Sequence, residues 1–264
     1  MHENPIRRKI ARGVPVIGPL LQEIPDSLDL VEFVGAAGFD YVIVDVEHAG
    51  TGIDMARDVT RAAEAAGICT LARVPSTEPG RILALLDSGV QGIILAHCNS
   101  AADAEALVRA VKYPPRGIRG ASTGSRAARY GYGAPPRELI GRMDQETLCI
   151  GLIEEPGAVD AVDAMLAVDG FDGCFLGAGD MSLAMGREYF GHVPAHPAVS
   201  ALIDRVRTDT LAAGKLVMEP AGSGEAAQRI IGLGVQIVVL QFGQFLRSAL
   251  DAYLSAARGN GSER

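Results

Sequence analysis

The sequence predicts a single (β/α)8 barrel, and three observations predict it. Short β-branched runs alternate with helical segments eight times in unbroken succession, the pattern of a parallel sheet wrapped by helices. The length of 264 residues suits one such barrel, for which about 250 is typical. A hydrophobic content of 48% supplies a large core, and no interdomain linker or internal repeat beyond the alternation divides the chain. We therefore expect one domain over 1–264, with a frayed tail at 258–264.

Taken in order, residues 14–20 (VPVIGPL) read as the first strand. Residues 28–37 follow as its helix, with Leu28, Leu30, Val31 and Val34 on one face and Gly38 as the stop. The β-branched and aromatic run 41–45 is the second strand, a buried one, and the Ala-rich segment 54–66 is a helix ended by Gly67. Residues 70–74 form the third strand, 79–87 a helix opened by Pro79, 92–96 the fourth strand and 101–112 its helix. Residues 113–146 are dense in Pro, Gly, Ser and Arg, and with no clear element of their own they read as a functional loop or lid. The alternation resumes with strand 148–153 and helix 159–168, strand 173–176 and helix 199–213, strand 216–218 and helix 224–232, then strand 236–240 and a last helix, 242–257.

A barrel concentrates chemistry at the C-terminal ends of its strands. Those ends carry Asp45, Glu47 and His48, then Arg73, His97, Glu154 and Glu155, Asp180, Glu219 and Gln241. Acidic strand ends are common as plain solvated termini, but ionisable groups on nearly every strand exceed what solvation needs. Two carboxylates and an imidazole in Asp45-Val46-Glu47-His48 suit proton transfer. Glu154 and Asp180 can supply two oxygen ligands to a hard divalent cation. Arg73 offers a fork for a carboxylate, and the imidazole of His48 is the residue type suited to a general base. Gly177-Ala178-Gly179 lets backbone N–H groups approach an oxyanion. These residues point to metal-assisted chemistry on a small carboxylate.

Other polar residues have blander readings. His97 reads as a buried structural histidine, with an aldehyde contact as the alternative. Arg119 reads as half of a loop salt bridge or as an anion clamp, and Glu155 as solvated or in contact with a neighbouring subunit. The net charge of −8 argues against nucleic acid as a partner. No segment approaches the roughly 18 apolar residues of a membrane span, and the N-terminus lacks an apolar signal region. Cys69, Cys98, Cys149 and Cys174 have neither zinc-site nor disulfide spacing, so we expect reduced thiols and a cytoplasmic location.

With these residues in place the chain resembles the HpcH/HpaI aldolase family of metal-dependent class II pyruvate aldolases, over about residues 38–247. The resemblance rests on GFDYVIVDVEHA, ARVP, LLDSGVQGIILAH, KYPPRGIRG, IEEP and FDGCFLGAGDMS, in that order. It implies a (β/α)8 barrel that assembles as a homo-oligomer, a hexamer or trimer, exchanging its C-terminal helix between subunits. It implies Mg²⁺, Mn²⁺ or Co²⁺ on Glu154 and Asp180, His48 as base, Arg73 as the grip on a pyruvate carboxylate, and Asp87 as the acid that orients the histidine. Asp45 and Glu47 then support the metal site. The implied reaction enolises pyruvate or a related 2-keto acid and adds it reversibly to an aldehyde. Relatives use the same enolate in citrate-synthase-like and macrophomate-synthase-like condensations with oxaloacetate, and a non-catalytic metabolite-binding barrel is the third alternative. The chain departs from the pattern in having Leu152-Ile153-Glu154 for Gln-Val-Glu, GAGDMS for GPADLS, and an added acid, Glu219.

Overall fold

The computed structural model describes residues 3–22 and 28–258. The expected frayed tail lies outside the described residues except for Arg258, which closes the last helix. Eight parallel strands, β1 (Val16–Leu21), β2 (Tyr41–Asp45), β3 (Cys69–Val74), β4 (Gly92–Leu95), β5 (Leu148–Ile153), β6 (Gly173–Leu176), β7 (Leu216–Pro220) and β8 (Ile237–Gln241), pair in chain order and close with β8 against β1. The helices are α1 (Pro5–Ile10), α2 (Leu28–Ala36), α3 (Ile53–Ala65), α4 (Pro79–Asp87), α5 (Ala101–Val111), α6 (Pro136–Glu146), α7 (Pro156–Val159), α8 (Val162–Leu166), α9 (Ala178–Met185), α10 (Pro197–Ala212), α11 (Gly224–Gly232) and α12 (Phe242–Arg258).

The two-residue period of the strands builds two cores. Tyr41, Ile43, Leu71, Ile94, Ile150, Leu152, Phe175, Met218 and Val239 fill the barrel, while Val42, Val44, Ala72, Ile93, Cys149, Val217 and Val238 pack outward against the helices. Each fully buried large apolar side chain is worth about 1.5–3 kcal/mol, so both layers matter to stability. Room for Tyr41 comes from Gly18, where a Cβ would stand 2.3 Å from the Tyr41 carbonyl oxygen. The Tyr41 hydroxyl then donates to the Val238 carbonyl at 2.7 Å, linking β2 to β8.

Four differences from the sequence reading have local causes. Residues before the first strand form α1, capped by Asn4, and its Ile6 is fully buried in the barrel's interior cluster. The segment 113–146 contains α6, whose paired prolines look like loop but place Pro136 at a favoured helix-start position. This segment joins the end of α5 to the start of β5, so it lies at the N-terminal face of the barrel and is no lid over the strand ends. The fifth helix divides into α7 and α8, and α9 begins directly after β6. None of the described helices is long and apolar enough to cross a membrane, and all four cysteines are free and buried.

Candidate active site at the strand ends

The site begins with a buried ion pair set by register. Asp45 ends β2 and lies directly beside Arg73 of β3. Arg73 Nε donates to Asp45 Oδ1 at 3.0 Å and Nη2 to Oδ2 at 2.6 Å, and Asp45 is wholly buried. Such a two-point pair fixes the guanidinium plane. Burial works against the Arg73 charge, but Asp45, then Glu47, outweigh it and hold its pKa above the usual value. Asp45 also accepts from the Glu47 N–H at 3.0 Å, and Glu47 Oε2 lies 3.2 Å from Arg73 Nε. His48 is half exposed, with Nε2 3.8 Å from Glu47 Oε2.

Glu154, just past β5, is buried at the centre of the group. Burial pushes its pKa up to about 7; the His97 N–H and imidazole pull it down, and Asp180 and Glu47 push it up. Gly177 explains how β6 comes so close, because a Cβ there would stand 2.7 Å from the Glu154 Cβ. Ala178 and Gly179 open α9, and Asp180 sits exposed in its first turn, where helical N–H groups have no partner within the helix. His48, Arg73, Glu154, Gly177, Ala178, Gly179 and Asp180 all line one cavity of about 220 Å³, with Leu152 and Phe175 as apolar wall and Gln22, Pro220 and Gln241 at the edge. That is below the roughly 300–1,000 Å³ of pockets for larger ligands, a size for a small metabolite.

Three expectations change. His97 is not a buried structural residue: its side chain is 54% exposed, and its φ of 48° turns it out of the strand toward the site. A non-glycine residue held there carries on the order of 1–3 kcal/mol of strain, supported here by the His97 N–H donating to Glu154 Oε1 at 2.8 Å. Its Nδ1 lies 3.3 Å from Glu154 Oε1 and 3.1 Å from Glu155 Oε1, and its Nε2 3.7 Å from Glu47 Oε1. Glu219 does not add an acid to the cavity. Because Met218 points into the barrel, Glu219 points out, where Arg207 Nε and Nη2 grip it at 2.8 Å each. Asp87 ends α4 at the opposite, N-terminal face. Its carboxylate pairs there with the buried Arg119 at 3.5 Å, so within one chain it does not orient His48. Burial raises the Asp87 pKa and lowers that of Arg119.

Sequence reasoning missed Gln22, one residue past β1; extending the first strand by one residue would have placed it on the rim. The three lysines serve the other end of the barrel. Lys112 Nζ donates to the Asp144 and Thr147 carbonyls, Lys215 Nζ to the Phe171 carbonyl, and Lys9 pairs with Asp40. None of them lines the cavity.

Known proteins resemble this chain in sequence and in fold. The chain is 32% identical over 244 residues to a pyruvate aldolase of Rhizobium etli, covering 90% of each chain. It is 31% identical over 256 residues to a hydroxypyruvate/pyruvate aldolase of Agrobacterium fabrum, covering 95% of this chain and 94% of that one. It is 33% identical over 184 residues to a 5-keto-4-deoxy-D-glucarate aldolase of Escherichia coli, covering 70% of each. An HpcH/HpaI aldolase/citrate lyase family protein from Burkholderia cenocepacia superposes with a TM-score of 0.86 at 26% identity, covering 97% of this chain and 100% of that one. The citrate synthase SbnG shares the fold at a TM-score of 0.83 and 24% identity, covering 97% of this chain and 98% of that one. With residues 25–239 matching the description HpcH/HpaI aldolase/citrate lyase, the chain belongs to that family.

Proposed function

We propose that the protein is a divalent-metal-dependent carbon–carbon lyase that enolises pyruvate or a related 2-keto acid and adds it reversibly to an aldehyde. The observation that carries this reading is that His48, Arg73, Glu154, Asp180 and the start of α9 line a single small cavity. The donor set fits a cation: burial first, and Asp180 and Glu47 to a smaller extent, shift Glu154 toward neutrality, and a bound cation would compensate its buried charge. Glu154 and Asp180 would hold the metal, which when bound supplies Lewis-acid polarisation of the ketone. Whether the cell supplies Mg²⁺, Mn²⁺ or Co²⁺ belongs to the same proposal.

The chain's own groups do the rest. Arg73, held in plane by Asp45, turns its remaining donors to the keto acid's carboxylate. The unpaired N–H groups of Ala178, Gly179 and Asp180 favour negative charge beside them. His48 takes a proton from C3, the resulting enolate carbon attacks the aldehyde carbon, and the aldehyde oxygen is protonated; cleavage runs the same steps backward. With the three lysines at the far face, no lysine amine lines the cavity for a Schiff base. Among the described residues Arg73 is the one cation lining the cavity, and residues 23–27 carry none, which favours an uncharged aldehyde over oxaloacetate as acceptor.

The same proposal includes a homo-oligomer with exchanged C-terminal helices. No residue of α12 is buried, and Phe245, Leu250, Tyr253 and Leu254 are exposed along it. An apolar groove of about 610 Å³, lined by Ile17, Phe33, Phe39, Ala227, Val238 and Leu240 among others, runs along the barrel wall. Since Asp87 and His48 occupy opposite faces of one barrel, any action of Asp87 on a His48 is between subunits. The test of the reaction is exchange of the pyruvate methyl protons, followed by NMR in D₂O. Exchange with Mg²⁺ or Mn²⁺ that EDTA abolishes is the expected result, and no exchange with any metal would overturn pyruvate as the substrate.

A further inference from the structure

We propose that Glu47, His97 and Glu154 form a nitrogen-containing divalent-cation site that prefers Mn²⁺, Co²⁺ or Zn²⁺ to Mg²⁺. It rests on the proposed function only in sharing Glu154. One ligand atom from each residue lies within 4.8 Å of the other two, and the residues come from three separate strand ends. The Glu47 side chain is more than nine-tenths buried; its Oε2, 3.2 Å from Arg73 Nε, has no hydrogen-bond partner, and its Oε1 faces His97 Nε2 at 3.7 Å. A desolvated carboxylate in that state needs a positive partner. Arg73 supplies it only in part, because Nε and Nη2 already serve Asp45.

The backbone at His97 is arranged for the same purpose. Its positive φ points the main-chain N–H and the imidazole at one Glu154 oxygen, at 2.8 Å and 3.3 Å. The exposed edge of the ring leaves room for water to complete a coordination shell. Two carboxylates balance a dication, and one imidazole changes which dication is favoured. All-oxygen sets suit Mg²⁺, whereas a nitrogen donor shifts preference along the first-row series toward Co²⁺ and Zn²⁺. The cavity lined by Asp180 includes neither Glu47 nor His97, so this donor set shares only Glu154 with that lining.

The test uses metal-stripped full-length protein titrated with Mn²⁺ alone, read by pulsed electron paramagnetic resonance. The parent should show nitrogen-14 modulation from a coordinated imidazole, and His97→Asn should lose it. Asparagine tolerates a positive φ, so this variant keeps the backbone turn. In calorimetry His97→Asn should weaken Mn²⁺ and Co²⁺ by about tenfold or more while Mg²⁺ changes by less than about twofold. His48→Gln and Asp180→Asn should retain the modulation. A parent without modulation, or modulation that persists in His97→Asn, would overturn the site and leave His97 as an ordinary ion-pair partner of three glutamates. Metal-dependent pyruvate exchange without nitrogen coupling sinks this site and spares the proposed function; coupling without exchange does the reverse.

Discussion

Replacing Asp45 by asparagine tests the link between the fold and the site. Asp45 is wholly buried and holds Arg73 through two hydrogen bonds of 3.0 and 2.6 Å. Removing one charge of a buried pair costs about 3–5 kcal/mol, because the other charge is left desolvated. The asparagine keeps one acceptor oxygen, and Glu47 Oε2 remains 3.2 Å from Arg73 Nε, which places the expected loss at the low end, about 3 kcal/mol. For a chain of this size that corresponds to a melting point lower by about 6–12 °C. The freed guanidinium should turn toward Glu47, and a misplacement of that kind costs on the order of 10²-fold in pyruvate exchange. The control is Glu219→Gln, which breaks an equally bidentate pair to Arg207 on the outer side of the sheet. It should lower the melting point comparably and leave exchange within about twofold of the parent. An Asp45→Asn protein with parental melting and exchange, or a Glu219→Gln protein that loses exchange equally, would refute the claim that register positions Arg73 for catalysis.

Four further outcomes follow from the same geometry. Because burial raises the Glu154 pKa to about 7, the metal competes with a proton below that pH; Mn²⁺ affinity should fall as pH drops from 8 to 6 with release of a proton on binding, and pH-independent affinity would contradict it. The sign for stability is the reverse of a salt-bridged acid: without metal, Glu154 favours folding below its unfolded pKa and withdraws that support as pH rises through about 7, so metal-free melting points should decline over that interval. Gly177→Ala would press its Cβ against Glu154 at 2.7 Å, and should cost about 1–3 kcal/mol together with most of the metal affinity, seen by melting and titration. Removal of residues 242–264 should leave a folded barrel but convert the oligomer to smaller species in light scattering, and an unchanged mass would argue against helix exchange.

Much of the barrel was legible because strand and helix periods differ and this chain keeps them apart. The runs from Tyr41 to Asp45 and from Leu148 to Ile153 are buried over their whole length; the first ends in Asp45 and the second is followed at once by Glu154, and the parallel topology carries both to one face. What misled the reading has physical causes. His97 follows the apolar run Gly92–Leu95 and so looks buried, but a single positive φ reverses its direction, and nothing in the residue types announces that. Asp87 enters through the motif LLDSG alone, and its position at the end of a helix places it at the far face, away from the His48 of its own chain. Glu219 was legible by parity, since Met218 must face inward. Phe242 at the start of α12 packs against the core, but Phe245, Leu250, Tyr253 and Leu254 stay exposed, and a single sequence carries no direct record of what covers such a surface.

Charge connects these observations. Asp45 and Arg73 neutralise one another, which leaves Glu47, Glu154, Asp180 and Glu155 around a half-exposed His97 and a half-exposed His48. Burial raises the pKa of Glu154 to about 7, and the neighbouring carboxylates Asp180 and Glu47 add to the rise. A fold that wanted only a packed strand end would place small or apolar residues here, as the rest of each strand does. Gly177 and the turn at His97 each bring the backbone closer to Glu154, so the chain tightens the repulsive group instead of loosening it. In the proposed reaction a dication reverses the sign of the interaction, and the small cavity beside it offers a keto acid the Arg73 fork, the His48 imidazole and a wall of apolar side chains.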